Sequence, residues 1–264
     1  MSYIDTHAHL DLPEFDEDRD AVLMRARQAG VEAVICPGIE AESSRAAVEL
    51  AERYEDVFAA VGIQPNYGAQ AGPDAWPHVT ALAEHPKAVA IGETGLDRHW
   101  DFTPFDLQRE YFRRHLQLAQ KLDRPVIVHC REAEAEVLEM LDEATGSGPV
   151  QGVMHAFSGG PELAEACLER GMYVSFAGAV TYRNKKFQGL HQAARLVPAD
   201  RLLVETDSPY LVPHPLRGKL KRNEPRQIVH TAAWLAQLRG EDAEALAARC
   251  AANARRLFRL PAGR

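Results

Sequence analysis

The stretch Ser2-Tyr3-Ile4-Asp5-Thr6-His7-Ala8-His9 decides the fold. It starts as a short apolar strand and ends in two histidines spaced i and i+2, which an extended backbone directs to one side. An open doubly wound sheet is the alternative architecture, and it runs its first strand into a glycine-rich turn that cradles a dinucleotide. Thr6-His7-Ala8-His9 holds no glycine and two imidazoles. That is the wrong chemistry for a pyrophosphate and the right chemistry for a metal ion.

Seven further strand-like runs follow: 31–39, 57–65, 88–96, 125–131, 150–157, 172–178 and 202–207. Each is short, rich in Val, Ile or Ala, and closed by Gly, Pro or polar residues, as expected of strands buried on both faces. Between them lie stretches of helical spacing. Residues 18–29 stop at Gly30, residues 161–170 open on Pro161 and stop before Gly171, and Leu107, Tyr111, Leu118 and Leu122 share one helical face. Residues 132–144, 225–238 and 242–257 supply more helices, the last with Leu246, Cys250 and Leu257 on one side. Eight strands alternating with helices, with no linker or break in composition, predict one (β/α)₈ TIM barrel domain over residues 1–264.

Composition narrows the class further. The chain has 264 residues, 46% hydrophobic and 7% aromatic, which excludes a disordered or fibrous protein. With 30 Lys plus Arg against 38 Asp plus Glu, the net charge of −8 argues against coating nucleic acid through bulk charge but leaves room for a local basic patch. No apolar run is long enough to span a membrane. Met1-Ser2-Tyr3-Ile4-Asp5 lacks the basic and apolar character of an export leader, and Cys36, Cys130, Cys167 and Cys250 stand singly without a C-x-x-C. Together these predict a cytoplasmic protein with reduced thiols. No apolar stripe is left over on the helices, so a monomer is expected.

Six residues at strand ends stand apart from the other titratable groups: His7 and His9 in the first strand, Glu93 in the fourth, His129 in the fifth, His155 in the sixth and Asp207 in the eighth. In a parallel barrel, strand ends converge on the C-terminal rim, where active sites lie. Four imidazoles and two carboxylates suit Zn²⁺, Mn²⁺, Fe²⁺ or Co²⁺ better than Ca²⁺ or Mg²⁺. Six ligands exceed one tetrahedral site and suggest two ions sharing a carboxylate.

The segments Asp5-x-His7-x-His9-Leu10-Asp11, Gly92-Glu93-Thr94-Gly95-Leu96-Asp97, Val128-His129-Cys130-Arg131, His155-Ala156-Phe157-Ser158-Gly159 and Glu205-Thr206-Asp207-Ser208-Pro209, in that order, resemble the signatures of TatD-type metal-dependent deoxyribonucleases. The resemblance continues through Arg222-Asn223-Glu224-Pro225 to Asn253-Ala254. It implies that His7, His9 and Asp207 hold one divalent metal, that His129 and His155 hold a second, that Glu93 bridges them, and that Glu205 lies beside the site. The identity of the two ions stays open among Zn, Mn, Mg, Fe and Co. One departure is Gly62-Ile63-Gln64-Pro65, where the family usually has Gly-Ile-His-Pro. If the family histidine contacts substrate, Gln64 takes over that contact without the ability to carry charge or shuttle a proton.

Hydrolysis follows from such a site. Asp207 is the candidate for orienting a water and accepting its proton, with Glu93 and Glu205 as further catalytic carboxylates. A phosphodiester substrate would call for cations on the rim. Pro213–Arg226 carries five basic side chains against one acidic one, and Arg183-Asn184-Lys185-Lys186 follows the seventh strand. Lys221, Arg222 and Arg131 are the candidate phosphate contacts, and Trp76, Trp100 and Tyr182 could stack on bases, Trp100 before the others. The resemblance implies a nuclease acting 3′ to 5′ on single-stranded or frayed DNA ends. An amidohydrolase or lactonase on the same metal barrel is the competing reading, and it is weakened because no lysine ends a strand to bridge the metals. A non-catalytic metal-stabilised binding protein is a third.

Overall fold

Short strands and long helices alternate through the computed structural model, which describes residues 1–261. In chain order they are β1 (Tyr3–Asp5), α1 (Arg19–Gln28), β2 (Val31–Pro37), α2 (Ala41–Arg53), β3 (Val57–Val61), α3 (Ala75–Leu82), β4 (Ala88–Asp97), α4 (Phe105–Leu122), β5 (Val126–Arg131), α5 (Glu134–Thr145), β6 (Gly152–Met154), α6 (Pro161–Glu169), β7 (Tyr173–Phe176), α7 (Gln188–Leu196), β8 (Leu202–Val204), α8 (Ile228–Arg239) and α9 (Ala243–Phe258). The strands follow one another in the order β1 to β8 in one sheet, and every described pairing between named strands is parallel. Parallel neighbours need a crossover between them, and the helices supply it. The fold is a (β/α)₈ TIM barrel, as the alternation in the sequence predicts.

The strands are shorter than the periodicity suggests. His7 and His9 follow β1, His155 follows β6 and Asp207 follows β8, whereas Glu93 and His129 lie inside β4 and β5. At β1, β6 and β8 the apolar run continues past the strand, so pattern alone extends these three into the segment that carries the candidate ligand.

The chain forms two compact units. Among the described residues the first comprises 1–35, 156–168 and 173–261, and the second comprises 36–155 and 169–172. In the first unit the ends of β1 and β8 are tied by Asp207 N–H donating to His7 O at 2.9 Å and His9 N–H to Ser208 O at 2.8 Å. Helix α9 buries Leu246, Cys250 and Leu257, the predicted face. Its Asn253 amide donates to Ala199 O at 2.8 Å and Leu202 O at 2.9 Å, satisfying carbonyls that lead into β8.

In the second unit β3 and β4 are buried along their whole lengths, the pattern of strands covered on both faces. Helix α4 buries only one residue of the predicted face, Leu118. Leu107, Tyr111 and Leu122 are half-buried, and the rest of the inward face is Gln108, Phe112, His115, Leu116 and Ala119. Two polar residues on that face hide its amphipathicity, and both serve strand ends. Gln108 Oε1 accepts Asp97 N–H at 2.9 Å, and its amide donates to Asp97 O at 3.0 Å. His115 Nε2 accepts Ile63 N–H at 2.9 Å, and burial pulls its pKa down to about 4, so it stays neutral.

Candidate metal centre

Each unit carries a compact triad of imidazoles and a carboxylate. In the second unit Glu93 Oε1 lies 3.0 Å from His129 Nδ1 and 3.3 Å from His155 Nε2, and the two imidazole nitrogens are 3.5 Å apart. The three could hold one ion between them. Around a cation bound at 2.0–2.1 Å, neighbouring ligand atoms stand about 3.0–3.5 Å apart. These separations therefore fit a transition-metal ion, and the mixed nitrogen and oxygen donors suit one.

The placement of His129 follows from its strand and from what stands behind it. Gly95 of β4 pairs with His129 of β5 and has φ +138°. A Cβ there would collide with the His129 carbonyl, so only glycine lets the two strands approach at this point. On the far side of the ring, His129 Nε2 meets Asp97 Oδ2 at 2.9 Å. With Nε2–H donated to Asp97, the Nδ1 lone pair is aimed at the Glu93 side of the ring. Burial lowers the basicity of His129, but Asp97 and Glu93 outweigh it and raise its pKa.

Asp97 is itself heavily held. Its Oδ1 accepts His99 N–H at 2.9 Å and Trp100 N–H at 3.0 Å, and its Oδ2 accepts from the Asn66 amide at 3.1 Å. Burial works against the charged form, yet His129 and these donors keep the carboxyl down at about 2. The sequence motifs include Asp97 without giving it a role. Its even spacing from Glu93 along one strand is the signal that could have found it.

In the first unit His7 Nε2 and His9 Nε2 are 3.2 Å apart, and Asp207 Oδ1 stands 3.8 and 3.6 Å from them. This set is looser, with two of its three separations beyond the 3.0–3.5 Å of the other triad. Both histidines and Asp207 come from segments beyond the strands, and a buried carboxylate ties those segments together. Asp5 accepts Thr206 N–H at 2.9 Å, the Thr206 hydroxyl at 2.6 Å and His7 N–H at 3.3 Å. Complete burial pushes the Asp5 carboxyl up to about 8 in spite of those donors. Asp207 adopts φ +54°, a left-handed conformation that aspartate tolerates better than most residues.

Several predicted site residues turn out to have other work. Glu205, expected among the catalytic carboxylates, is fully buried: Oε1 accepts Ala156 N–H at 2.6 Å and Oε2 accepts the Thr6 hydroxyl at 3.3 Å. It braces the left-handed turn at Ala156 that follows His155. Arg222, expected on substrate phosphate, makes a two-pronged ion pair with Asp18 at 2.7 and 2.8 Å and stacks over Phe15. A charge count cannot show a partner 204 residues away in sequence.

Lys221 is exposed in a shallow cavity with Arg25, Leu220, Arg222, Glu224 and Arg226. Gln64 is buried and caps the short 3₁₀ turn Pro65–Gln70, its Oε1 accepting Asn66 N–H at 2.8 Å. Asn66 in turn reaches Asp97, so Gln64 is linked to the His129 side of the second unit. Of the candidate stacking residues, Tyr182 is buried with its hydroxyl donated to Val212 O, and Trp76 packs against Tyr111 and His115. Arg131 and Trp100 are exposed.

A (β/α)₈ barrel with histidine and carboxylate triads at or just beyond its strand ends defines a metal-dependent hydrolase. The chain belongs to the TatD related DNase family, whose model matches residues 4–259. It is 40% identical over 256 residues to the uncharacterized metal-dependent hydrolase YabD of Bacillus subtilis, covering 97% of this chain and 98% of that one. It is 37% identical over 256 residues to the 3′-5′ ssDNA/RNA exonuclease TatD of Salmonella typhimurium, covering 96% and 98%. Among solved structures, YJJV, a TatD homolog from Escherichia coli K12, matches with a TM-score of 0.91 at 32% identity over 98% of each chain. No helix among the described residues is long and apolar enough to cross a membrane.

Proposed function

We propose that this protein is a single-domain phosphodiesterase that removes nucleotides from the 3′ end of single-stranded or frayed DNA. The observation that carries the reading is the pair of histidine and carboxylate triads, in a chain 37% identical to a relative named as a 3′-5′ ssDNA/RNA exonuclease. Glu93, His129 and His155 would hold one divalent ion, and His7, His9 and Asp207 would hold another. When bound, such ions lower the pKa of a water and neutralise charge on the attacked phosphodiester.

The chain's own residues do the rest. Asp207 Oδ1 accepts the proton of the attacking water. Asp97 holds the His129 ring in the tautomer that leaves Nδ1 free to donate its lone pair. Asn223 donates to Thr206 O at 3.0 Å, and its N–H donates to Pro209 O at 2.9 Å. Those two bonds tie Asn223 to the segment that carries Asp207, and Lys221, two residues earlier, is assigned as a phosphate contact. Arg131, exposed on the second unit, is a further candidate phosphate contact, and Gln64 acts behind it as the cap of its turn. Among the described residues no lysine lies in a strand, which disfavours the amidohydrolase and lactonase reading. A cytoplasmic monomer is the form in which we expect the enzyme to work.

The test is purified protein with Mn²⁺, Mg²⁺ or Zn²⁺ on 3′-labelled single-stranded DNA, beside a panel of amides and lactones. Release of labelled mononucleotide from the DNA is expected. Turnover of an amide or lactone, with DNA left intact under every metal, overturns the reading.

A further inference from the structure

Two large aromatic side chains of the second unit stand in water where burial would stabilise them: Trp100 is 44% and Phe102 61% exposed. They are not scattered. Their rings stack with centroids 5.3 Å apart and planes only 10° from parallel. His99 meets Trp100 edge-on at 4.7 Å, and the Arg131 guanidinium sits 5.7 Å from the Trp100 centroid. An exposed, ordered and parallel aromatic pair with a cation at its margin offers a π-face and a charge together.

The pair is also rigidly mounted. Trp100 N–H and His99 N–H are both held by Asp97 Oδ1, and Asp97 Oδ2 holds His129. The His99 ring is pinned by Glu132 at 2.8 Å. Arg98 N–H donates to Arg131 O at 2.9 Å, and Arg131 pairs with Asp97 across β4 and β5. One carboxylate therefore positions a metal-ligating imidazole and the backbone of the aromatic platform.

We propose that Trp100 and Phe102, with Arg131 at their edge, form a base-stacking subsite for single-stranded nucleic acid. A planar nucleobase matches the open π-face, and the guanidinium matches the phosphate that accompanies it. Duplex bases have both faces covered by neighbours, so such a platform selects unstacked strands. The inference rests on the phosphodiesterase reading for its substrate class and adds the element that grips the base.

The test uses the full-length Mn²⁺-loaded protein and two fluorescein-labelled phosphorothioate strands that resist cleavage, a thymidine decamer and an abasic decamer. The wild type should bind the thymidine strand roughly 5- to 100-fold more tightly than the abasic one. In the Trp100→Ala/Phe102→Ala variant that ratio should fall close to one, while Trp100→Phe should keep most of it. Both side chains are exposed, and Asp97 bonds only the Trp100 backbone, so the variants should fold, as circular dichroism will verify. Equal binding of the two strands by the wild type, including failure to bind either, overturns the subsite, as does a ratio that survives the double substitution. A preserved ratio in a protein that never cleaves ordinary DNA overturns the phosphodiesterase reading and leaves the subsite standing.

Discussion

The two triads use the same kinds of side chain and are supported in different ways. Glu93 and His129 lie within strands, and His129 leans on an ionised carboxylate, Asp97, that is itself held by three further donors. His7, His9 and Asp207 all lie beyond strand ends, and their support is mostly backbone: His7 O, Ser208 O and the buried Asp5 carboxyl. Donor separations follow the support, 3.0–3.5 Å in the second unit and 3.2–3.8 Å in the first. Ligands locked by hydrogen bonds bind metal with less reorganisation. On the two-ion reading, the second unit would supply the tighter site and the first the more exchangeable one.

The largest expected effect comes from Glu93→Ala. It should cut cleavage of single-stranded DNA by about 1,000-fold, equivalent to about 4 kcal/mol, and lower bound metal by mass spectrometry, with the circular dichroism spectrum unchanged. Full metal content in that variant would remove Glu93 from the ligand set. Next comes Asp97→Asn, which keeps the volume of the side chain but not its charge. Chelator competition should show one metal site weakened by about 10- to 100-fold and the other untouched. Equal weakening of both would break the distinction between the triads.

The smallest effect concerns the ion pairs of the first unit. Arg222 and then Arg25 hold the Asp18 carboxyl down at about 2, below its ordinary value near 3.9. Because the folded value is the lower one, this stability is present above about pH 4 and is lost as pH falls toward 2. Asp18 is more than a third exposed to solvent, so the pair contributes less than about 1 kcal/mol. Urea unfolding should show Asp18→Asn slightly less stable than wild type at pH 6 and the gap closing toward pH 2.5. A gap independent of pH would mean that packing of Phe15, and not charge, holds this corner.

Much of this was legible in the sequence. All eight strands follow from short apolar runs, and the six residues expected as ligands fall into two compact triads. What stayed hidden depends on partners distant in the chain. Arg222 reads as a free cation until Asp18 is brought against it, and the acidic run at Asp16–Asp18 reads as a solvated face for the same reason. Glu205 reads as a catalytic carboxylate until its oxygens are seen on Ala156 N–H and the Thr6 hydroxyl. Gln108 and His115 obscure the inward face of α4 because their task is to satisfy backbone groups of strand ends. Phe102 carries no signal alone; only its stacking on Trp100 gives it meaning.

The way the chain is divided between the units sets an order of assembly during synthesis. The second unit is drawn almost wholly from one continuous segment, residues 36–155, whereas the first joins residues 1–35 to the last third of the chain. Chains emerge N-terminus first, and contacts distant in sequence form late. Once residue 155 has left the ribosome, Glu93, His129 and His155 can already come together, while His7 and His9 must wait for Asp207. On the two-ion reading, a nascent chain would complete the Glu93 triad before the His7 triad exists.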